Sequence, residues 1–204
     1  NTVSAIKAVV FDLGNVLIDV IHERAATALS AHCAQGTQSL HGAISNSTLL
    51  HGLEIGRIDA AQFFAQVSAQ AQLEVSLEAF CAAFCNIFAP IQEMIDAQAE
   101  LQRGGLATHL FSNTSALHFE HLAGRHAFLT RFDSHFLSYQ IGWMKPHVRA
   151  YQAVEQGTGL TGARLLFIDD KLENVQAGAQ RGWQVIHHVN PATTIAQLHT
   201  LRLL

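Results

Sequence analysis

The chain has 204 residues, 49% of them hydrophobic and 14% charged, with a formal net charge of −4. That hydrophobic share excludes a disordered polymer and supports one full domain with a sizeable insertion, or two small domains. The acidic balance and the lack of any basic run argue against a nucleic-acid surface; Asp12 and Asp19 break the apolar stretch from Ala8 to Ile21, which suits neither a membrane span nor a signal segment.

In chain order, Ala8 to Phe11 is a continuous apolar run that ends on Asp12 with Gly14 just beyond, the pattern of a strand buried on both faces. Residues 22 to about 90 carry no convincing strand and read as amphipathic helices over Glu23–Cys33, Ser39–His51, Asp59–Leu73 and Ser76–Phe88. Asp59 and Ser76 stand where N-caps belong, and Gly52 and Gly56 punctuate the turn between the second and third helices. Pro90 opens a further helix, Ile91 to Gln102, which Gly104-Gly105 closes. From there, strands at Leu106–Phe111, Ser134–Leu137, Arg164–Ile168 and Gln184–His187 alternate with helices at Ser115–Ala123, Val148–Gln156, Val175–Arg181 and Pro191–Leu201. Such alternation predicts an α/β fold, a Rossmann-like parallel sheet with helices on both faces. The first strand belongs with this set. Residues 1–20 and 91–204 therefore read as the core domain, and residues 21–90 as an inserted α-helical cap.

Strand ends carry the chemistry. The first strand ends on Asp12, another on Ser112-Asn113-Thr114 and a third on Asp169-Asp170, while Lys145-Pro146 opens a helix between them. In a parallel sheet these ends face one crevice. Asp12, Asp169 and Asp170 would repel one another there unless a cation joined them. Hard oxygen ligands without cysteine or histidine favour Mg2+, which readily shares its shell with phosphate. Lysine is rare, with Lys7 and Lys171 as the others, so Lys145 stands out as a point charge for a carboxylate or phosphoryl oxygen. Ser112 and Thr114 offer hydroxyls, and the N–H groups opening the next helix offer an anion site. This set suits in-line phosphoryl transfer to Asp12 and hydrolysis of the resulting aspartyl-phosphate.

At these residues the chain resembles the haloacid dehalogenase superfamily of aspartate-nucleophile phosphohydrolases. Phe11-Asp12-Leu13-Gly14-Asn15-Val16 is similar to its first motif, Ser112-Asn113-Thr114 to its second, Lys145-Pro146 to its third, and Asp169-Asp170 with Asn174 to its fourth. The region 22–90 falls where that family inserts a helical cap. Leu117-His118, Leu137-Ser138, Gly142 and Tyr151-Gln152 add a likeness to bacterial α-D-glucose-1-phosphate phosphatases and to the phosphatase domain of soluble epoxide hydrolases. The resemblance implies that Asp12 is the nucleophile and a Mg2+ ligand, joined by the Gly14 carbonyl and Asp170. It places Asp169 and Asn174 near the metal shell, and gives Ser112, Asn113 and Lys145 the phosphate. Lys171 is expected at the surface or the substrate rim.

Most phosphatases of that superfamily carry a second aspartate two residues after the nucleophile, as general acid and base; here the position is Gly14. Acid–base help is worth about 10²–10⁴-fold, so its loss points to leaving groups that need little protonation, such as an anomeric sugar hydroxyl or a phenolate. Asp19 and His22 are candidate substitute acids. The expected function is Mg2+-dependent hydrolysis of small phosphorylated metabolites, sugar 1-phosphates among them, with no nucleic-acid or membrane partner. The alternatives are a 2-haloacid dehalogenase and a catalytically weak phospholigand-binding module. Cys33, Cys81 and Cys85 lack a metal-type spacing and read as packed thiols in a reducing, cytoplasmic compartment. The 13 histidines, His118, His121 and the pair His187-His188 included, lack the partners of a metal centre. The sequence leaves the oligomeric state open.

Overall fold

A computed structural model describes residues 6–204; residues 1–5, grouped with the core domain by sequence, lie outside the described residues. The strands run in chain order as β1 (Ala8–Phe11), β2 (Ile18–Val20), β3 (Phe88–Pro90), β4 (Ala107–Ser112), β5 (Ser134–Leu137), β6 (Leu165–Asp169) and β7 (Gln184–His187). Five of them form one sheet in the order β5-β4-β1-β6-β7, and every pairing in it is parallel. The expected α/β fold is what forms.

Alternation along each strand explains why the sheet is buried on both sides. Val9 and Phe11 of β1, with Leu166 and Ile168 of β6, enter one core, which also holds Met94 and Leu101. Ala8, Val10, Leu165 and Phe167 enter the opposite core with Tyr151 and Trp183. Helices α6 (Gln92–Arg103), α7 (Ala116–Ala123), α8 (Ser138–Ile141), α9 (Val148–Thr158), α10 (Leu172–Gln180) and α11 (Pro191–Thr200) follow the strands of the second half. Each fully buried aromatic or aliphatic side chain contributes about 1.5–3 kcal/mol of transfer free energy, so the two cores make this sheet the rigid base of the molecule.

The inserted helices are α1 (Glu23–Leu29), α2 (Thr37–Ile44), α3 (Ser47–Glu54), α4 (Ala60–Ala71) and α5 (Leu77–Cys85). They pack around their own apolar centre, where Leu40, Phe63, Val67, Phe80 and Phe84 are almost wholly buried. Asp59 forms a capping box with Gln62, and the Ser76 hydroxyl accepts the Ala79 N–H at 3.1 Å. Both expected caps are present.

Three expectations are corrected. The single helix read over Ser39–His51 is two, because the Asn46 side chain accepts the N–H groups of Thr48 and Leu49 and starts a new helix there. The helix read to Phe88 stops at Cys85, and Phe88 instead pairs with Val20 in an antiparallel β2–β3 ribbon. Strands of three residues are too short to show a period of two. No periodicity in the sequence announces the four-residue helix α8, which is a single turn long. The β2–β3 ribbon matters for the site, because it draws both ends of the helical insertion to the crevice beside β1.

Candidate active site

Asp12 stands one residue past the register pairs Phe11↔Leu110 and Phe11↔Ile168, which sets it beside Phe111 of β4 and Asp169 of β6. Its own N–H donates to the Ile168 carbonyl at 2.9 Å. β1 lies between β4 and β6, and the chain crosses from the β4–β5 side to the β6–β7 side there, so this is the point where an open α/β sheet presents a crevice.

Lys145 is the hub. Its ammonium lies 2.8 Å from Asp12 Oδ1, 2.6 Å from Asp169 Oδ2 and 2.8 Å from the Phe111 carbonyl, so all three donors are used. The stem is buried, with Nζ 5.0 Å and 5.4 Å from the ring centres of Phe111 and Phe167. Burial works against the charge, but Asp12 and Asp169 together override it and hold Lys145 above its usual range.

Several residues serve that lysine. Asp169, fully buried, also accepts both Asn174 Nδ2 contacts at 3.0 Å and the Lys171 N–H at 2.8 Å. Asn113 grips the backbone of Lys145 in both directions: Oδ1 accepts its N–H at 2.8 Å, and Nδ2 donates to its carbonyl at 3.0 Å. The side chain of Asn113 is thus turned onto the lysine loop. Ser112 is buried at the end of β4, whereas Asn113 and Thr114 line the cavity.

What remains is an anionic face. Asp12 Oδ1 takes the Leu13 N–H at 2.8 Å as well as Lys145, which leaves Oδ2 without a donor among the described residues. Asp170 receives the Asn15 amide at 3.4 Å. Asn15 adopts φ 57°, a left-handed turn that asparagine tolerates, and its Oδ1 also holds the Val20 N–H at 3.2 Å. Asp12, Asp169 and Asp170 bring one oxygen each within 4.8 Å of one another, opposed by the single Lys145 ammonium. Burial, Asp169 and Asp170 push the Asp12 carboxyl up to about 7 against the pull of Lys145. A hard divalent cation fits such a set, because it would cancel charge that the protein leaves uncompensated. The buried, unpartnered Asn174 Oδ1 points to the same deficit of donors.

These groups floor a cavity of about 420 Å3 between sheet and insertion. Gly14 lies on its wall, and a Cβ there would meet Val20 Cγ2 at 3.1 Å, so the flap strand β2 crowds the space a side chain would need. Of the two candidate substitute acids, His22 lines the cavity, while Asp19 is exposed on β2 and does not. Lys171 lines the rim. Two participants carried no sequence signal of their role. Glu54, the last residue of α3, enters the cavity, and burial raises its carboxyl against the opposing pull of Lys171. Ser138 Oγ accepts the Thr114 N–H at 2.9 Å and donates to the Glu54 carbonyl, tying insertion to strand end.

His118 closes the apolar side, its ring tilted by 30° with its centre 4.4 Å from that of Phe84 and its Nε2 on the Phe84 carbonyl at 3.1 Å. Burial lowers it from 6.5 to about 4. The unfolded chain therefore binds a proton that the folded one refuses, and stability falls as pH drops from 6.5 toward 4, by roughly 3 kcal/mol from this group. Urea melts at pH 7 and pH 4.5 check this: His118→Phe is expected to lose markedly less stability over that interval than the unaltered protein.

The thiols of Cys33, Cys81 and Cys85 are free. Among the described residues no helix is long and apolar enough to cross a membrane. The chain is 28% identical over 196 residues to a sesquiterpene phosphatase, astK, of Aspergillus oryzae, covering 96% of each. Its fold matches a HAD family enzyme of Bacteroides thetaiotaomicron solved with magnesium and inorganic phosphate, with TM-score 0.78, 23% identity and coverage of 89% of this chain and 93% of that one. It also matches an L-2-haloacid dehalogenase of Xanthobacter autotrophicus with TM-score 0.65, 22% identity and coverage of 96% and 83%. The family model for haloacid dehalogenase-like hydrolases spans residues 6–182, and the chain belongs to that family of enzymes.

Proposed function

We propose that the chain is a Mg2+-dependent phosphatase that hydrolyses small phosphorylated metabolites through an aspartyl-phosphate on Asp12, in the cytoplasm, with residues 21–90 as its cap. The observation that carries this reading is the unengaged Asp12 Oδ2 beside a buried lysine and an uncompensated carboxylate, Asp170. The sesquiterpene phosphatase relative and the Bacteroides neighbour with magnesium and phosphate support it. Bound Mg2+ would be held by Asp12 and Asp170, with the Gly14 carbonyl, and would supply positive charge for the phosphoryl oxygens.

The chain's own residues do the rest. The Leu13 N–H and Lys145 immobilise Asp12 Oδ1, so Oδ2 is oriented for attack on phosphorus. As that bond forms, the ester P–O bond breaks and the alcohol oxygen departs with the electron pair. Water then attacks the phosphorus, breaks its bond to Asp12 and restores the carboxylate, while its proton passes to phosphate and solvent. Lys145 keeps its charge throughout and, with its three donors taken by Asp12, Asp169 and Phe111, acts on the phosphate through its charge, while Asn113 and Thr114 line the cavity there and Ser112 lies buried behind them. Closure by the insertion excludes bulk water.

Gly14 cannot protonate the departing oxygen, so the rate should fall steeply as the leaving group becomes more basic. Phosphate release from a series of aryl phosphates tests the proposal. Turnover is expected to need Mg2+, to vanish in EDTA and to track leaving-group acidity, with a hexose 1-phosphate preferred over its 6-phosphate. No phosphate release from any ester with Mg2+ present would sink the reading. The dehalogenase alternative predicts chloride release from a 2-haloacid in EDTA, and the acidic pair Asp169-Asp170 beside Asp12 weighs against it.

A further inference from the structure

We propose that the organic half of the substrate is apolar, a monophosphate ester of a hydrocarbon-rich alcohol or phenol. This rests on the phosphatase reading above and concerns the other end of the same cavity. The floor is polar, built from Asp12, Asn113, Lys145 and Asp170. Away from it, the walls that an ester's organic group must touch are Val20, Ile44, Leu50, Phe84, Phe88 and Leu122. They come from the flap ribbon, from three inserted helices or their flanks, and from α7, so the apolar lining surrounds the cavity rather than forming one patch.

The polar residues of the wall sit away from this apolar stretch or are already engaged. His22, Glu23, His41 and Ser45 line the cavity from the insertion but are exposed, on its solvent side. His118 is held neutral by burial, its ring tilted against Phe84 with Nε2 on the Phe84 carbonyl. Glu54 is half-buried, with Lys171 as its charged neighbour at the rim. A sugar bears a hydroxyl on nearly every carbon, and each one desolvated against Ile44, Leu50 or Phe84 would lack a partner. A hydrocarbon loses nothing there and gains about four-fold in affinity per buried methylene. At about 420 Å3 the cavity is in the range that takes a drug-sized ligand. Gly14 favours an acidic leaving group and the walls favour an apolar one; an aryl ester meets both, and a hexose 1-phosphate only the first.

The full chain with Mg2+ is assayed on phenyl phosphate, 4-hexylphenyl phosphate below its micelle concentration, and a phenyl phosphate carrying a 4-glucosyloxy group. Their leaving groups are closely matched, so differences in kcat/KM report the wall. With about half of its six carbons buried, the hexyl ester is expected to exceed the phenyl ester by roughly 100-fold, with the glucosyloxy ester no better than phenyl. Leu50→Gln should cut the hexyl-to-phenyl ratio by about ten-fold. A glucosyloxy ester that outruns the hexyl ester overturns the apolar class and leaves the phosphatase reading standing. If no ester releases phosphate, the phosphatase reading falls, and the matching phosphonates decide the wall by themselves. A larger Tm rise with hexylphenylphosphonate than with phenylphosphonate supports an apolar ligand, and equal rises overturn it.

Discussion

Asp12→Asn is expected to lower phosphate release by at least ~10³-fold, because an amide cannot attack phosphorus, and of the neighbouring carboxylates Asp169 is held by Lys145 and Asn174. The substitution is nearly isosteric. The Leu13 N–H and the Lys145 ammonium can still be accepted by the amide oxygen, and Lys145 keeps Asp169 at 2.6 Å. One negative charge leaves a buried group of three carboxylates, so the metal-free protein should melt no lower than the unaltered one. The rise in Tm that Mg2+ produces should shrink, since a principal ligand has become neutral. Loss of turnover with preserved Tm assigns the effect to chemistry. A variant that retains a tenth or more of the activity would remove Asp12 from the role of phosphoryl acceptor.

Lys145→Met is expected to cost about 3–5 kcal/mol of stability as well as activity, since removing one partner of a buried ion pair strands the other. Here the stranded groups are Asp12 and Asp169, both buried, and the Phe111 carbonyl loses its donor as well. The sign with pH follows from linkage. Burial and the neighbouring carboxylates already raise the Asp12 carboxyl against the pull of Lys145, and without the ammonium that pull is lost. Its protonated form fits the folded state, and stability is lost as pH rises through the raised value. Urea melts should therefore show a small deficit near pH 5 and a large one at pH 8. Lys145→Arg is expected to rescue little, because a planar guanidinium cannot send three donors to Asp12, Asp169 and Phe111 in the space between the Phe111 and Phe167 rings. A Lys145→Met protein as stable as the unaltered one at pH 8 would mean that the carboxylates do not depend on this charge.

The inserted region shows why its helices were legible while their junctions were not. Asp59 and Ser76 announce their helices locally, through a side chain that reaches an N–H three residues on. Asn46 does the same, but it sits inside a run whose apolar spacing is compatible with an unbroken helix, and the cap wins over the spacing. The β2–β3 ribbon joins residues 72 apart in sequence, Ile18 with Pro90, and no local pattern could reveal it. It is nevertheless the ribbon that carries Val20 over Gly14 and Phe88 into the cavity wall.

The amino-acid sequence by itself determined the parallel α/β core and the chemical inventory of the crevice. Apolar runs that end abruptly on Asp12, Ser112 and Asp169 are local facts, and parallel pairing carries all such ends to one edge. Tertiary structure alone decided the division of labour among them. Asp169 and Asn113 hold Lys145 through contacts as short as 2.6 Å, with Asn174 steadying Asp169, while Asp12 Oδ2 has no donor among the described residues and Asp170 has the Asn15 amide. Only the fold could set that, because the bonds of Lys145 and Asn113 join segments 24 or more residues apart and depend on packing around the lysine. The character of the substrate cavity is also a tertiary property. Its apolar walls are assembled from the flap ribbon, the inserted helices and α7, and no one of these segments shows by itself which side chains will face the phosphate.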